Sequence, residues 1–192
     1  IYFENIEMGS YLLQEYKSTD DWLLDTTEYS VIIDNTGKVW IGNVEYTDSY
    51  ITIKNSPRIH GNFSFYKKEL GDDSLGIVGT KFRLSGTSDY GNDILMYSAS
   101  VSGGKTIFTN IELGTYQLEE VVSNPNYYLN DIIYTVQVNE SGTITITGSN
   151  EKDPEGNAVL IQNSEWIEIA ENGNIYIYNA YKYSEVEIRK VD

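Results

Sequence analysis

The chain has 192 residues, 40% of them apolar and 13% aromatic, enough to bury the core of one large or two small domains. Its 29 acidic against 13 basic residues give a formal charge of -16, which repels a phosphate backbone and excludes nucleic acid as a natural partner. With no cysteine and a single histidine, His60, the chain has no disulfide, no thiolate nucleophile and no Cys-based or multi-histidine metal site, so no cofactor or metal is expected.

In chain order, apolar and polar residues alternate with period two between Gly, Asn and Asp turns, the pattern of half-buried strands. Gly9-Ser-Tyr-Leu-Leu-Gln-Glu15 opens the series, followed by Tyr29-Ser-Val-Ile-Ile33 and Ile51-Thr-Ile-Lys-Asn55. Pro57-Arg-Ile-His-Gly61 reads as a linker with His60 facing solvent. Phe63-Ser-Phe-Tyr-Lys67 and Gly79-Thr-Lys-Phe-Arg-Leu84 are the next strands. Gly103-Gly-Lys-Thr106 looks like a phosphate loop, but Ala99 stands where that motif needs its first glycine. Gly114-Thr-Tyr-Gln-Leu-Glu-Glu120, Thr143-Ile-Thr-Ile-Thr147, Ile175-Tyr-Ile-Tyr178 and Val186-Glu-Ile-Arg189 complete the strands, with Tyr176 and Tyr178 on an outward face. The acidic stretches Asp72-Asp73, Asp89 to Asp93 and Asp153 to Asn157 do not follow the EF-hand pattern. No segment has a useful helical period and no run of 18 apolar residues occurs, so an all-β chain of antiparallel sandwiches is predicted, with no membrane insertion.

An internal repeat organises these strands. Phe3, Asn5, Ile6, Glu7, Gly9, Tyr11, Leu13 and Glu15 recur 105 residues later as Phe108, Asn110, Ile111, Glu112, Gly114, Tyr116, Leu118 and Glu120. Tyr29, Val31 and Gly37 return at the same offset as Tyr134, Val136 and Gly142. Ile51 to Asn55 then matches Ile175 to Asn179 at an offset of 124, so the second copy carries 19 extra residues between Ile146 and Ile175. Phe63 to Lys67 matches Val186 to Lys190 at an offset of 123. The expected organisation is therefore residues 1–58 as the back half of one domain, 59–182 as a complete domain, and 183–192 as the first strand of a third.

Three strands of the complete domain end an apolar alternation on a polar residue. Phe63, Phe65 and Lys67 share one face, Tyr116, Leu118 and Glu120 another, and Ile175, Ile177 and Asn179 a third. An amine, a carboxyl and an amide buried singly would each be costly, by several kcal/mol for the charged ones. Together they can react, because apolar surroundings favour a neutral, nucleophilic amine and an un-ionised carboxyl able to polarise the amide oxygen.

Phe-x-Phe-x-Lys67, Gly114-x-Tyr-x-Leu-x-Glu120 and the strand ending at Asn179 resemble the Cna B-type, or SpaA prealbumin-like, domain of Gram-positive adhesins and pilins. Gly79 to Leu84 resembles that family's second strand, and Glu15, Asn55 and Lys190 are the equivalents in the partial copies. The resemblance implies tandem immunoglobulin-like sandwiches in which Lys67 and Asn179 join in a spontaneous isopeptide bond promoted by Glu120. That is a single self-modification, not an enzyme acting on a diffusible substrate. It also implies an extracellular, cell-surface stalk or spacer anchored to the wall through a region outside this chain, with neighbouring domains of the same polypeptide as partners. The alternative is a recognition module whose loops bind a host protein or glycan.

Overall fold

The computed structural model describes residues 3–47, 52–100, 102–152, 158–160 and 165–183. The chain divides into two compact units, Ile1–Arg58 and Ile59–Asp192. Both are built from strands, as the period-two alternation predicts.

The first unit is one antiparallel sheet in the order β1 (Gly9–Leu13), β2 (Tyr29–Ile33), β3 (Val39–Ile41), β4 (Val44–Tyr46). Tyr11 pairs with Val31, and Val31 with Ile41. No described residue of this unit is fully buried. The expected strand at 51–55 does not form over residues 52–55, although Leu23 N–H donates to Ser56 O (2.8 Å) and Arg58 N–H to Asp21 O (2.8 Å). A strand needs a hydrogen-bonded neighbour, and among the described residues 52–55 have none.

The second unit is a sandwich. One sheet has the order β15 (Ile167–Ile169), β16 (Ile175–Asn179), β5 (His60–Glu69), β10 (Lys105–Glu112), β9 (Ala99–Ser100), with β6 (Asp72–Gly76) also paired to β5. The other runs β14 (Ala158–Leu160), β13 (Ile144–Lys152), β12 (Tyr134–Val138), β11 (Gly114–Val122), β7 (Lys81–Thr87), β8 (Asp93–Tyr97). Phe63, Phe65, Phe108, Ile111 and Ile177 from the first sheet pack with Phe82, Leu84, Tyr116, Leu118, Tyr134 and Val136 from the second in one core. Aromatic rings set its centre, with Phe65 edge-on to Phe82 at 4.7 Å and Phe63 stacked on Phe108 at 5.3 Å.

Two local readings of the sequence are corrected. His60 is not a solvent-facing linker residue but the half-buried first residue of β5, opposite Glu112 of β10. Tyr178 is not on an exposed face: it is 7% exposed, and its hydroxyl donates to Glu168 of β15 at 2.8 Å. Tyr176 does stack outside on Tyr66, at 5.7 Å. Part of the extra length of the second copy extends β13 into a hairpin with β14, in which Asn150 pairs with Leu160. The acidic stretch Asp153 to Asn157 and the segment expected to start a third domain, from residue 184 onward, lie outside the described residues.

A buried amine, carboxyl and amide

Strand parity aims three polar side chains into the core of the second unit. In β5 the buried residues are Gly61, Phe63, Phe65 and Lys67, and in β11 they are Gly114, Tyr116, Leu118 and Glu120. β16 closes on buried Ile177, Tyr178 and Asn179. β16 runs parallel to β5 with Ile177 opposite Lys67, so Asn179 lies one step further along the same inner face. Glu120 reaches both from the opposite sheet. Lys67 is 0%, Asn179 1% and Glu120 4% exposed.

The contacts are specific. The Asn179 Nδ2 donates to both carboxylate oxygens of Glu120, at 3.1 Å and 2.9 Å, and to the Ser123 hydroxyl at 3.0 Å. The Lys67 Nζ lies 3.9 Å from Glu120 Oε2, too far for a hydrogen bond, and 5.4 Å from the centre of the Phe82 ring. Among the described residues neither Lys67 Nζ nor Asn179 Oδ1 has a hydrogen-bond partner. Loss of hydration pulls the Lys67 pKa down to about 7, against the opposing pull of Glu120, so a large share of the amine is neutral near neutral pH.

The carboxyl meets the amide differently from expectation. Its oxygens contact the nitrogen of Asn179, which donates to both of them, and not the amide oxygen. It sits beside the atom that must leave if the amide is attacked. Asn130 N–H fixes the same carboxylate by donating to Oε2 at 2.8 Å. The Asn130 side chain is itself held, donating to Tyr134 Oη (2.8 Å) and Tyr178 O (3.0 Å) and accepting from Ile132 N–H (3.0 Å). The neighbouring charged residues point elsewhere: Glu119 accepts from Arg83 Nε at 2.8 Å outside the core, and Glu69 accepts from the Tyr127 hydroxyl at 2.8 Å.

Ser123 and Asn130 were not among the residues singled out from sequence, yet the repeat marks both. Ser18 and Asp25 precede them by 105 residues. In the first unit Asp25 N–H donates to Glu15 Oε2 at 2.7 Å, as Asn130 N–H does to Glu120. Asn55 Nδ2 donates to Glu15 Oε1 at 2.7 Å and to Ser18 Oγ at 3.3 Å, as Asn179 does to Glu120 and Ser123. Glu15 and Asn55 are thus together, while Lys190 lies outside the described residues.

Residues 61–152 match the SpaA family model, described as a prealbumin-like fold domain. Over that segment the chain is similar to the SpaA prealbumin-like family. The SpaA match takes in Lys67 and Glu120, and β16 with Asn179 completes the same sandwich beyond it. Among solved structures, the pilus adhesin SpaC of Lactobacillus rhamnosus GG in its open conformation aligns with a TM-score of 0.58 at 18% identity, over 95% of this chain and 26% of that one. Another form of the same adhesin gives 0.52 at 17% identity, over 92% and 25%. A C-terminal fragment of it gives 0.50 at 17%, over 95% and 80%. At these identities the likeness speaks for the SpaA-type fold, and the chain spans about a quarter of the first two structures. No curated protein matches the sequence.

Proposed function

We propose that this chain is a spacer segment of a Gram-positive surface adhesin or pilus, exposed outside the cell, whose second unit staples itself by an amide bond between Lys67 and Asn179. The observation that supports the reading is the buried set itself: a lysine pulled toward neutrality, with no hydrogen bond among the described residues, sharing one carboxylate with an amide whose oxygen is likewise unpartnered among them. Buried polar atoms left without partners are costly in a finished core and useful in a reacting one.

In the proposed reaction the neutral Lys67 Nζ attacks Cγ of Asn179. The new C–N bond forms as the bond from Cγ to Nδ2 breaks. Glu120 takes a proton from the amine and delivers one to Nδ2, which leaves as ammonia. Atoms and charge balance without a metal or cofactor, and each molecule reacts once. Among the described residues no helix is long and apolar enough to cross a membrane.

Intact mass tests the reading. The wild-type chain is expected to be one ammonia lighter than its sequence, and Glu120→Ala to have its full sequence mass. A wild-type chain at full mass, or a cross-linked peptide mapping to Lys68 or Glu119, would overturn the assignment.

A further inference from the structure

Ser123 stands against the parity of its strand. In β11 the inward residues are Gly114, Tyr116, Leu118 and Glu120, so Val122 is the next in line, yet Val122 is 46% exposed. The register of β11 against β7 shifts between Glu120 and Val122, and the extra residue of such a bulge exchanges the two faces of the strand. Ser123 is thereby turned inward, where its Oγ accepts from Asn179 Nδ2 at 3.0 Å. The one hydrogen of its hydroxyl is directed at the backbone, toward Tyr128 O at 3.2 Å and Tyr127 O at 3.4 Å, so lone pairs face the amide.

The amide is held in an orientation that does nothing for its oxygen. Asn179 Oδ1 has no partner among the described residues, and a buried acceptor left so is costly. Both carboxylate oxygens of Glu120 and the hydroxyl of Ser123 lie instead on the nitrogen. The same orientation recurs in the first unit, where Asn55 Nδ2 donates to Glu15 Oε1 at 2.7 Å and to Ser18 Oγ at 3.3 Å, with the serine again three residues after the glutamate.

Glu120 alone enforces that orientation only while it accepts. In the proposed reaction it takes a proton from Lys67 Nζ, and a carboxylic acid can donate to an amide oxygen as readily as it accepts from an amide nitrogen. Ser123 does not change sides in this way, because its hydrogen is committed to the turn. We propose that Ser123 is an orienting residue for the joining of Lys67 to Asn179: it keeps Nδ2, the atom that must leave, against Glu120 while the proton passes, and stops the amide from turning its oxygen there. The proposal rests on the bond-forming reading of Lys67, Glu120 and Asn179. Ser123 gains and loses no proton. The bond from Nζ to Cγ forms, the bond from Cγ to Nδ2 breaks, and the proton that Glu120 carries leaves with Nδ2 as ammonia.

Two measurements separate the orienting role from the bond itself. In Lys67→Met, which cannot link, nuclear Overhauser contacts are expected between the Asn179 side-chain NH2 and the Ser123 Hβ protons. Adding Ser123→Ala to that variant should speed exchange of the NH2 protons with water about tenfold. With Lys67 intact, full-length chains made by cell-free synthesis and quenched in acid at intervals give the linking rate by intact mass. Ser123→Ala should lose its ammonia about tenfold more slowly than wild type, with the rate rising through the same pH, since Lys67 keeps its surroundings. A slower rate whose pH midpoint has moved toward that of an ordinary lysine would mean a loosened core and would overturn the proposal. Linking of Ser123→Ala at the wild-type rate, or an Asn179 NH2 without contact to Ser123, would overturn it while leaving the bond standing. Wild type that never loses ammonia would overturn the bond and the role of Ser123 together.

Discussion

Lys67 differs from an ordinary lysine in that water is replaced around its ammonium by Phe82 on one side and a shared carboxylate on the other. Its depressed pKa fixes the sign of a pH effect. The folded group releases its proton near pH 7 and the unfolded one near 10.5, so between those values the unfolded chain binds more protons and stability rises with pH. In Asn179→Ala, which cannot link, unfolding free energy should climb across that window. The climb should vanish in the Lys67→Met, Asn179→Ala double variant, as denaturant titrations at several pH values would register. Tyrosine ionisation at the upper end affects both variants and cancels in the comparison. The formation rate of the bond in freshly refolded wild type should likewise rise through about pH 7, followed by mass against time. Parity alone picked out Lys67, Glu120 and Asn179, because the side-chain period of a strand is two and each residue follows apolar neighbours of its own face. Parity is silent on loops, which is why Ser123 and Asn130 escaped it. The 105-residue offset already aligned both with Ser18 and Asp25, and is the signal that would have found them.

At the scale of elements, glycines next to β5 explain a motif that resembled a phosphate loop. Gly104 has φ +75°, and a Cβ there would lie 2.6 Å from Lys67 O and 2.9 Å from Gly76 Cα. Gly76 is as tight, since its Cβ would lie 2.0 Å from Gly103 O. These residues let the turn before β10 pack against the backbone that carries the amine, where Ile77 N–H donates to Lys67 O at 2.8 Å. Gly104→Ala combines a disfavoured φ with overpacking and should cost about 2 to 4 kcal/mol. It should also slow linking, because the displaced backbone is that of Lys67, so a melting curve and an intact mass on one sample would check both effects. Leu84→Ala, at 0% exposure, should cost about 2 to 5 kcal/mol while leaving the linked mass unchanged apart from the substitution. The asparagines of the repeat have a structural reason too. Asn5 and Asn110 both adopt left-handed φ, +56° and +58°, which asparagine tolerates better than most residues, and Asn110 falls within the register shift between Phe108 and Ile111. The strands themselves were legible from alternation, but the pairing order was not, since alternation says which face a residue takes and nothing about its neighbour across the ladder.

For the molecule as a whole, the two units differ in what they enclose. The second has a continuous core of aromatic and aliphatic side chains, and the first has no fully buried described residue. A segment of residues 1–58 made alone should therefore be digested rapidly by protease and show no cooperative melting, and a compact, resistant fragment would contradict this. The proposed Lys67–Asn179 bond would close most of the second unit into one loop, worth about 4 to 5 kcal/mol against the unfolded chain if the loop-entropy estimate for disulfides transfers. Lys67→Ala should accordingly melt lower and be cut faster by trypsin than wild type.

The parallel pairing of β5 with β16 has a mechanical consequence. β5 begins at His60, and β16 leaves the sheet at Asn179, beside Glu69 at the far end of β5. Tension applied at the two ends of the second unit therefore runs lengthwise along β5, shearing the ladder it shares with β16 instead of unzipping it bond by bond. Ten residues of β5 at ~3.3 Å each give an axial span of roughly 33 Å between those points. If Lys67 is joined to Asn179, the taut path runs from His60 to Lys67 and crosses directly to Asn179. The chain between Lys67 and Asn179, with its hairpins and most of the core, is then held outside the line of force, and the second unit can lengthen hardly at all before a covalent bond must break.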